Sequence, residues 1–238
     1  APSGHPLKDL KEAPTFAAMI PMQVYNTLQV PEEKAILMEI KHLIIGGGAI
    51  DDTLANELKD FPNQVWSTYG MTETLSHIAL RKLNGTDASD WYTPFDNVRI
   101  RLSEEGTLII HAPNVCAEEL ITNDIAEKNE KGKFRILGRK DNTINSGGVK
   151  IQIEQVESRL KKHLDTPFLI SARKDAKFGE IVVLIYNKVE NEDDIRRVCE
   201  SELPTYWVPK AYIAVDELPM TGTGKPDRAS ARRIANGE

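Results

Sequence analysis

The first half of the chain alternates segments of helical pattern with short apolar runs. Residues 31–39 (PEEKAILME) predict a short helix that starts at a proline, where a missing N–H costs nothing. The apolar run HLII at 42–45 predicts a strand that ends at three glycines. Residues 51–61 (DDTLANELKDF) predict a second helix with acidic residues at its positive end, and 63–70 (NQVWSTYG) predict another strand. This order predicts an α/β layer with a largely parallel sheet.

Beyond Trp91 the pattern changes to short alternating runs separated by turn residues. Residues 98–102 (VRIRL) and 107–112 (TLIIHA) flank a Glu-Glu-Gly turn and predict a hairpin. Residues 119–124 (ELITND) and 133–139 (KFRILGR) predict a second strand pair joined by the polar tract IAEKNEKG. We therefore expect an antiparallel β subdomain here.

A third region begins near Arg139 and carries its own alternation of helices and strands. Apolar residues recur at helical spacing in IEQVESRLKKHL, at Ile153, Val156, Leu160 and Leu164. Strands are predicted in PFLISA, EIVVLIYN and AYIAV, and a helix in NEDDIRRVCESEL, with Asn191 as its N-cap and Pro204 ending it. An α-β-β-α-β set of about 95 residues can bury a core of its own. We expect a partial large domain over 1–138, a hinge at 139–143 and a small α+β domain over 144–238.

Composition excludes several classes of protein. The formal net charge of −6 disfavours a nucleic-acid-binding protein, which would show a basic patch or stripe. No segment approaches the roughly 18 apolar residues of a membrane span. Cys116 and Cys199 are too few for a disulfide framework and have no metal-ligand spacing around them. We therefore expect two reduced thiols in a cytoplasmic protein.

Two glycine-containing segments have settings that suit a phosphate-bearing ligand. GGGAID at 46–51 follows a strand and precedes a helix, but the dinucleotide fingerprint fails because its sixth position is Asp51. TGTGK ends at Lys225, but Pro226 follows where a Walker loop needs Ser or Thr. The fingerprint failure excludes a nicotinamide oxidoreductase. The three glycines alone are equally consistent with a tight turn.

STYGMTETLSHIAL at 67–80 predicts the end of a strand, a glycine turn and the start of a helix at Thr72 and Glu73. A hydroxyl and free backbone amides at such a start can hold an anion. The neighbouring carboxylate can hold a Mg²⁺ ion that a phosphate shares. A plain helix cap is the alternative for these residues taken alone.

Asp124 and Arg139 flank the second predicted strand pair. A carboxylate can accept hydrogen bonds from two vicinal hydroxyls, so the two residues form a candidate ribose clamp. The alternative is an exposed ion pair, which contributes less than about 1 kcal/mol to stability.

Taken in order, these segments resemble the adenylate-forming superfamily of acyl-CoA synthetases, carrier-protein-loading adenylation domains and luciferases. The matching segments are GGGAID, STYGMTE, TND, LGRKDNTINSGGVKI, LPTYWVPK and LPMTGTGKPDR. TND departs from the T-G-D usual in that family, since Asn123 replaces the glycine, but the carboxylate is kept. The resemblance implies the C-terminal part of the large domain, an α/β layer plus an antiparallel β subdomain, followed by a small mobile α+β domain.

The resemblance also implies the reaction. A carboxylic acid attacks the α-phosphate of ATP in the presence of Mg²⁺, and the thiol of CoA then displaces AMP from the acyl-adenylate. A carboxylate is a poor acyl donor because its leaving group would be oxide, whereas AMP is a far better one. Such chemistry needs mainly positioning and charge stabilisation from the protein.

By the family's pattern each candidate residue receives a role. Lys225 is the adenylation lysine, Thr72 contacts the α-phosphate and Glu73 carries Mg²⁺. The remaining nucleotide-binding residues are Gly48, Ala49, Tyr69 and Gly70 around the base, and Asp124 and Arg139 at the ribose. Asp141 is the hinge about which the small domain rotates, and Gly147 and Gly148 line the path of the CoA pantetheine, where glycine permits close backbone approach.

Within the superfamily the chain looks most like the o-succinylbenzoate–CoA ligases of menaquinone biosynthesis, in which Ser76 and His77 would contact the acid. Three alternatives stay open: a ligase for another aryl or fatty acid, an adenylation domain that loads a carrier protein, and a non-catalytic remnant that binds AMP. The family's SSGTTGxPK-type phosphate loop does not occur in the sequence. We therefore expect a fragment or a decayed homologue with little adenylation activity of its own.

Overall fold

The chain forms two compact units. A computed structural model describes residues 4–50, 52–221 and 225–238. The first unit ends at Ile136 and the second begins at Leu137. That division lies close to the expected one at residue 138, and the hinge role of residues 139–143 stays a prediction.

The first unit contains a five-stranded sheet in the order β1-β2-β3-β4-β5. Its strands are β1 (Phe16–Met19), β2 (His42–Ile45), β3 (Gln64–Gly70), β4 (His77–Lys82) and β5 (Thr93–Pro94). The β1-β2 and β2-β3 pairs are parallel, whereas β3-β4 and β4-β5 are antiparallel. The expectation of a largely parallel sheet is therefore wrong beyond β3, because the short link from β3 to β4 cannot hold the crossover that a parallel pair requires.

Three helices connect the parallel strands: α1 (Pro21–Leu28), α2 (Pro31–Glu39) and α3 (Asp52–Leu58). The predictions of α2 and α3 are confirmed, while α1 was not predicted. The helices and strands enclose an apolar core whose fully buried members are Val24, Leu37, Ile40, Leu43, Ile45, Leu58 and Val65. Packing in this core fixes the direction of β2, which leads into the glycine turn at 46–48, and of β3, which ends at Gly70.

The helix predicted to start at Thr72 is wrong. Residues Thr72–Thr74 form one turn of 3₁₀ helix, and the chain then reverses into β4. Leu75 stops the helix because its backbone has the left-handed φ of 58°. His77, which was placed on that helix, is instead the first residue of a strand.

A second sheet has the order β6-β7-β8-β9, and the last three residues of its final strand are counted in the second unit. Its strands are β6 (Arg99–Leu102), β7 (Thr107–His111), β8 (Leu120–Lys128) and β9 (Phe134–Arg139). The hairpin of β6 and β7 is confirmed. The loop between β8 and β9 is shorter than expected, because β8 continues to Lys128. Asn129 stabilises the turn that follows: its side-chain oxygen accepts hydrogen bonds from the backbone N–H groups of Lys131 and Lys133 at 3.0 and 3.1 Å.

The second unit has one sheet in the order β11-β10-β13-β12, with β14 paired to β13. Its strands are β10 (Thr143–Ser146), β11 (Val149–Gln152), β12 (Phe168–Asp175), β13 (Gly179–Asn187) and β14 (Ala211–Val215). Its helices are α4 (Ile153–Leu160), α5 (Glu192–Glu202) and α6 (Arg228–Asn236). The predictions of α4 and α5 are confirmed, and Asn191 caps α5 by accepting from the N–H of Asp193 at 2.9 Å.

The alternating side chains of β12 and β13 divide the core of this unit in two. Ile170 and Leu184 point to the face covered by α4 and α5, whereas Leu169 and Val183 pack with α6. Cys199 of α5 lies in the first of these cores, and its burial raises the pKa of the thiol to about 11. A thiol in that environment is inert.

None of the helices in the described part of the chain is long and apolar enough to cross a membrane.

The β12–β13 turn carries a carboxylate that should make the second unit sensitive to acid. Asp175 Oδ1 accepts from the N–H groups of Phe178 and Lys177, at 2.9 Å each, which holds the pKa of Asp175 below its ordinary value. The stabilisation is present above the unfolded pKa of about 3.9 and is lost as the pH falls through the lower folded pKa. Asp175→Asn keeps an acceptor oxygen but no charge, so the stability lost by the variant should be largest near neutral pH and shrink below about pH 4.

The measurement is amide hydrogen exchange of residues 168–187 as a function of pH. Asp60→Asn in the first unit serves as the control and should leave the exchange of this segment unchanged. A difference between wild type and Asp175→Asn that stays constant down to pH 3 would show that the carboxylate charge does not stabilise the turn.

Candidate functional site

The glycine turn after β2 lies against the neighbouring strand. A Cβ atom at Gly46 would come within 2.3 Å of Thr68 Oγ1 on β3, and Gly47 has a positive φ of 74°. Both positions therefore require glycine. Gly48 is half-buried and Ala49 is exposed, so these two candidate nucleotide-binding residues border an accessible surface. Asp51, the last residue of the GGGAID segment, lies outside the described residues.

Two candidate nucleotide-binding residues that are far apart in sequence meet in the first unit. The hydroxyl of Tyr69 at the end of β3 donates to Asp124 Oδ2 on β8 at 2.6 Å. The Tyr69 ring packs edge-on against Phe134, with ring centroids 5.1 Å apart, and tilted against Tyr92. This packing holds the phenol in place, so Tyr69 fixes the direction of the Asp124 carboxylate.

The reversal between β3 and β4 depends on Gly70. A Cβ atom at this position would lie 2.4 Å from the carbonyl oxygen of Ser76 and 2.6 Å from Cα of His77. Backbone atoms cannot move out of the way as a flexible side chain can, so only glycine fits. The ends of β3 and β4 are thereby brought together.

Thr74 stabilises the turn from inside. It is fully buried, and its Oγ1 accepts from the N–H of Met71 at 3.0 Å and lies 2.7 Å from the carbonyl oxygen of Ser76. Thr72 and Glu73 are exposed on the outer side of the turn. The sequence alone does not single out Thr74. Hydroxyl side chains that bond nearby backbone are common in turns, and this preference is the signal that could have found it.

The candidate acid-binding residues lie directly after this turn. His77 pairs across the sheet with Gly70, and its ring packs edge-on against Phe95 with centroids 5.5 Å apart. Ser76 Oγ lies 3.1 Å from His77 Nδ1. Ser76 is exposed and His77 is half-buried. Both candidates therefore share the sheet end that carries Tyr69.

Within the described residues, no group of three or more His, Cys, Asp or Glu side chains could hold a metal ion. Glu73 stands as a single exposed carboxylate on its turn. Mg²⁺ is commonly bound through one or two carboxylates together with substrate phosphates and water. The donor set fits a Mg²⁺ ion that arrives with a nucleotide rather than a resident one.

In the second unit, Arg139 and Asp141 form an exposed ion pair. Arg139 Nη2 lies 3.2 Å from Asp141 Oδ2, and the two side chains are 52% and 58% exposed. Asp141 belongs to a short 3₁₀ turn, Lys140–Asn142, whose Asn142 side chain donates to the carboxylate of Glu154. Asp124 and Arg139 belong to different units, so their joint role at a ribose stays a prediction.

Gly147 and Gly148 form the two-residue turn of the β10–β11 hairpin. Both have positive φ, 58° and 86°, as a turn of this type requires. The N–H of Gly147 donates to the carbonyl of Phe178 at 2.8 Å, which fixes the turn. A Cβ atom at Gly148 would meet no atom of a described residue within 4 Å. The turn is therefore a narrow, rigid edge that a ligand can approach closely.

Hydrogen bonds to Thr221 hold the backbone of Lys225. Its N–H donates to Thr221 Oγ1 at 3.1 Å, and its carbonyl accepts from the N–H of Thr221 at 2.7 Å. Met220 and Pro226, the neighbours of Thr221 and Lys225, form an antiparallel β-bridge. Lys225 is exposed, and residues 222–224 of the predicted glycine-rich loop lie outside the described residues.

The second unit also has an open groove of about 780 Å³, lined by Asp141, Asn145, Glu180 and Arg232 among others. Arg232 and Glu180 pair with each other across it. Of the residues assigned from the sequence, only Asp141 borders this groove.

Comparison with known proteins agrees with this organisation. The family model described as AMP-binding enzyme matches residues 2–121, and that described as AMP-binding enzyme C-terminal domain matches residues 169–225. Among solved structures, an acyl-CoA synthetase (AMP-forming)/AMP-acid ligase II-like protein from Dyadobacter fermentans DSM 18053 is 32% identical with a TM-score of 0.57. That match covers 96% of this chain and 68% of the other.

More distant matches share the fold. The o-succinylbenzoate CoA synthetase of Bacillus subtilis, solved with its acyl-adenylate intermediate, has a TM-score of 0.73 at 22% identity over 91% of this chain and 50% of that one.

Among curated proteins, the 2-succinylbenzoate–CoA ligase of Listeria monocytogenes is 23% identical over 79% of this chain and 45% of its own length. That of Bacillus thuringiensis is 25% identical over 92% and 52%. The chain thus spans about half the length of these curated relatives. With half of its residues matched by one family model and the C-terminal part by its companion, the chain belongs to the AMP-binding enzyme family.

Proposed function

We propose that the protein is an ATP-dependent acid–CoA ligase that works through an acyl-adenylate. The observation that carries the proposal is the hydrogen bond from Tyr69 to Asp124, 2.6 Å long, at the sheet end that also carries Thr72 and Glu73. A carboxylate suited to ribose hydroxyls, bonded to the strand that leads into a turn suited to a phosphate, supports the proposal. Membership in the AMP-binding enzyme family supports the same interpretation.

In the first half-reaction, a carboxylate oxygen of the acid attacks the α-phosphorus of ATP, and the bond to pyrophosphate breaks. Negative charge must be stabilised around the phosphorus as this happens. The ammonium group of Lys225 and the hydroxyl of Thr72 are the groups assigned to it. Mg²⁺, when bound at Glu73, would neutralise phosphate charge.

The nucleotide is held by the rest of the sheet end. Asp124 accepts from the ribose hydroxyls, with Tyr69 fixing its direction, and Arg139 is the cation assigned to the ribose. Gly48 supplies backbone that a base can approach without side-chain obstruction, and Ala49 and Gly70 are the other residues of this group assigned to the nucleotide.

In the second half-reaction, the thiol of CoA attacks the acyl carbon and AMP leaves. The narrow Gly147–Gly148 turn is assigned to the pantetheine arm. Rotation about Asp141 exchanges Lys225 for this turn between the two steps. Thioester formation therefore does not require Lys225.

The acid we propose is o-succinylbenzoate, which is the same compound as 2-succinylbenzoate. Support comes from the several relatives that carry this name, at 23–27% identity. Ser76 and His77 offer a hydroxyl and an imidazole 3.1 Å apart, suited to a second carboxylate or a keto group.

A second candidate is an adenylation domain that loads a carrier protein. It is supported by similarity to Gramicidin S synthase 1 of Brevibacillus brevis, 25% identical over 230 residues. The two candidate functions differ in the thiol that accepts the acyl group. Parallel assays with CoA and with a phosphopantetheinylated carrier protein therefore distinguish them.

Lys225→Ala should lower the rate of acyl-adenylate formation about 10²- to 10³-fold, the loss typical of removing one group that stabilises transition-state charge. Thioester formation from added acyl-adenylate should persist. The measurement is acid-quenched single turnover of the protein in the length its source cell makes. Lys188→Ala, which removes an exposed lysine paired with Asp216, is the control. An unchanged adenylation rate in Lys225→Ala would remove this lysine from the mechanism.

Tyr69→Phe should weaken AMP binding about tenfold, because the Asp124 carboxylate would lose the hydrogen bond from Tyr69 that orients it, and hydrogen bonds to charged groups contribute about 1.5–3 kcal/mol. Calorimetric titration with AMP measures the affinity. Tyr92→Phe removes the same atom from a neighbouring tyrosine whose hydroxyl contacts Ser67 Oγ at 2.8 Å, and it should keep AMP affinity within about twofold. Equal losses in both variants would mean that ring packing, not Asp124, governs affinity.

His77→Ala should raise KM for o-succinylbenzoate about tenfold, through loss of one hydrogen bond to a charged group, while KM for benzoate and for ATP stays unchanged. Steady-state kinetics with the three substrates measures the change. His42→Ala, an exposed histidine on β2, is the control. If KM for benzoate rises as much as KM for o-succinylbenzoate, His77 does not recognise the second carboxylate.

A further inference from the structure

Arg228 and Glu157 form an ion pair in the second unit. Arg228 is the first residue of α6, and its Nη1 and Nη2 donate to Oε1 and Oε2 of Glu157 on α4 at 2.6 and 2.7 Å. The Glu157 side chain is 9% exposed and that of Arg228 27%. Two parallel hydrogen bonds between planar groups fix orientation as well as distance.

The backbone of β12 completes this network. Glu157 Oε1 also accepts from the N–H of Ile170 at 2.9 Å, and Arg228 Nη1 reaches the carbonyl of the same residue at 3.3 Å. Burial opposes the charge on Arg228, but the hydrogen bonds to Glu157 outweigh it and raise the pKa of the guanidinium. The start of α6 is thereby tied to both α4 and the central part of the sheet.

Lys225 lies only three residues before Arg228 in the sequence. Of the two residues between them, Pro226 has a fixed φ, and Asp227 donates its N–H to Pro219 and caps α6 by accepting from the N–H of Ser230 at 3.0 Å. Little freedom remains between the guanidinium of Arg228 and the backbone of Lys225. Any displacement at the start of α6 is passed on to Lys225.

We propose that Arg228 and Glu157 are positioning residues for Lys225 in adenylate formation. This inference rests on the proposed function. An ion pair this buried adds little net stability over a well-packed apolar pair. The bidentate geometry, however, sets the direction of the helix start in a way that apolar packing does not. Displacing a catalytic group by about 1 Å costs on the order of 100-fold in rate.

The test uses the protein in the length its source cell makes, with the two half-reactions measured separately. Arg228→Lys keeps the charge but cannot make the bidentate pair. It should lower the rate of acyl-adenylate formation by about 10- to 100-fold. KM for ATP, and the rate of thioester formation from added acyl-adenylate, should change less than about threefold, because neither depends on the position of Lys225.

Glu157→Gln is the milder second variant, since it keeps an acceptor for Ile170 and Arg228, and a smaller loss confined to adenylation is expected. Arg232→Lys is the matched control. This arginine lies on the same helix and pairs with Glu180, and its substitution should leave both half-reactions unchanged. Equal losses in the two half-reactions for Arg228→Lys, after correction for the folded fraction, would assign the pair a structural role only and overturn the proposal. Unchanged adenylation in both variants would overturn it as well.

A measurement independent of activity separates this inference from the proposed function. Amide hydrogen exchange of residues 225–230 should become about tenfold faster in Arg228→Lys, with residues 192–202 of α5 unchanged. If exchange becomes faster as expected but the wild-type protein makes no adenylate from any acid, the proposed function fails. The conclusion that the Arg228–Glu157 pair holds residues 225–230 in place would still be supported. If exchange does not respond, the pair does not hold Lys225 and the inference fails whatever the activity.

Discussion

The chain can reverse between β3 and β4 only because Gly70 has no side chain. The backbone of Ser76 and His77 occupies the space where its Cβ would lie, at 2.4–2.8 Å. This close approach brings three kinds of group to one sheet end: the phenol of Tyr69, the exposed turn of Thr72 and Glu73, and the imidazole of His77. A longer or looser connection would separate them. The relative positions of these three groups, which we propose to contact the nucleotide and the acid, therefore follow from one backbone contact.

The residues proposed to contact a nucleotide carry different charges in the two units. In the first unit the proposed groups are hydroxyls, backbone and the carboxylates of Glu73 and Asp124. In the second unit they are the cations of Arg139 and Lys225. Cations attract phosphate oxygens directly, whereas carboxylates suit hydroxyl groups and a phosphate-bound metal ion.

The elements that the sequence predicts well are those whose signals are local. Pro31 at the start of α2 and Asn191 before α5 act within one turn of their own helix, and both helices were predicted correctly. The turn after Gly70 was not, because it depends on a contact six residues away and on the buried hydroxyl of Thr74. Helix α6 was missed for another reason. Its buried residues are Ala231 and Ala235, and it lacks the repeated large apolar residues that indicated α4.

Long-range juxtapositions show the same limit. Tyr69 and Asp124 are 55 residues apart, and no spacing rule connects a residue on β3 with one on β8. Their proposed role in nucleotide binding rests on resemblance to a family, and the hydrogen bond shows that the two residues are in contact. The Arg228–Glu157 pair is 71 residues apart, and neither residue carries a sequence signal that names the other.

The tie at Arg228 has a consequence for the two half-reactions. Lys225 and the Gly147–Gly148 turn belong to the same unit, and both are held to its sheet by hydrogen bonds, through Ile170 in one case and Phe178 in the other. Neither can then be moved alone at low cost. If each must face the acyl group in its own step, the exchange has to move the unit as a body. Rigid attachment of Lys225 would therefore favour a hinge, which we propose at Asp141, since a lysine on a loose loop could withdraw without any rotation.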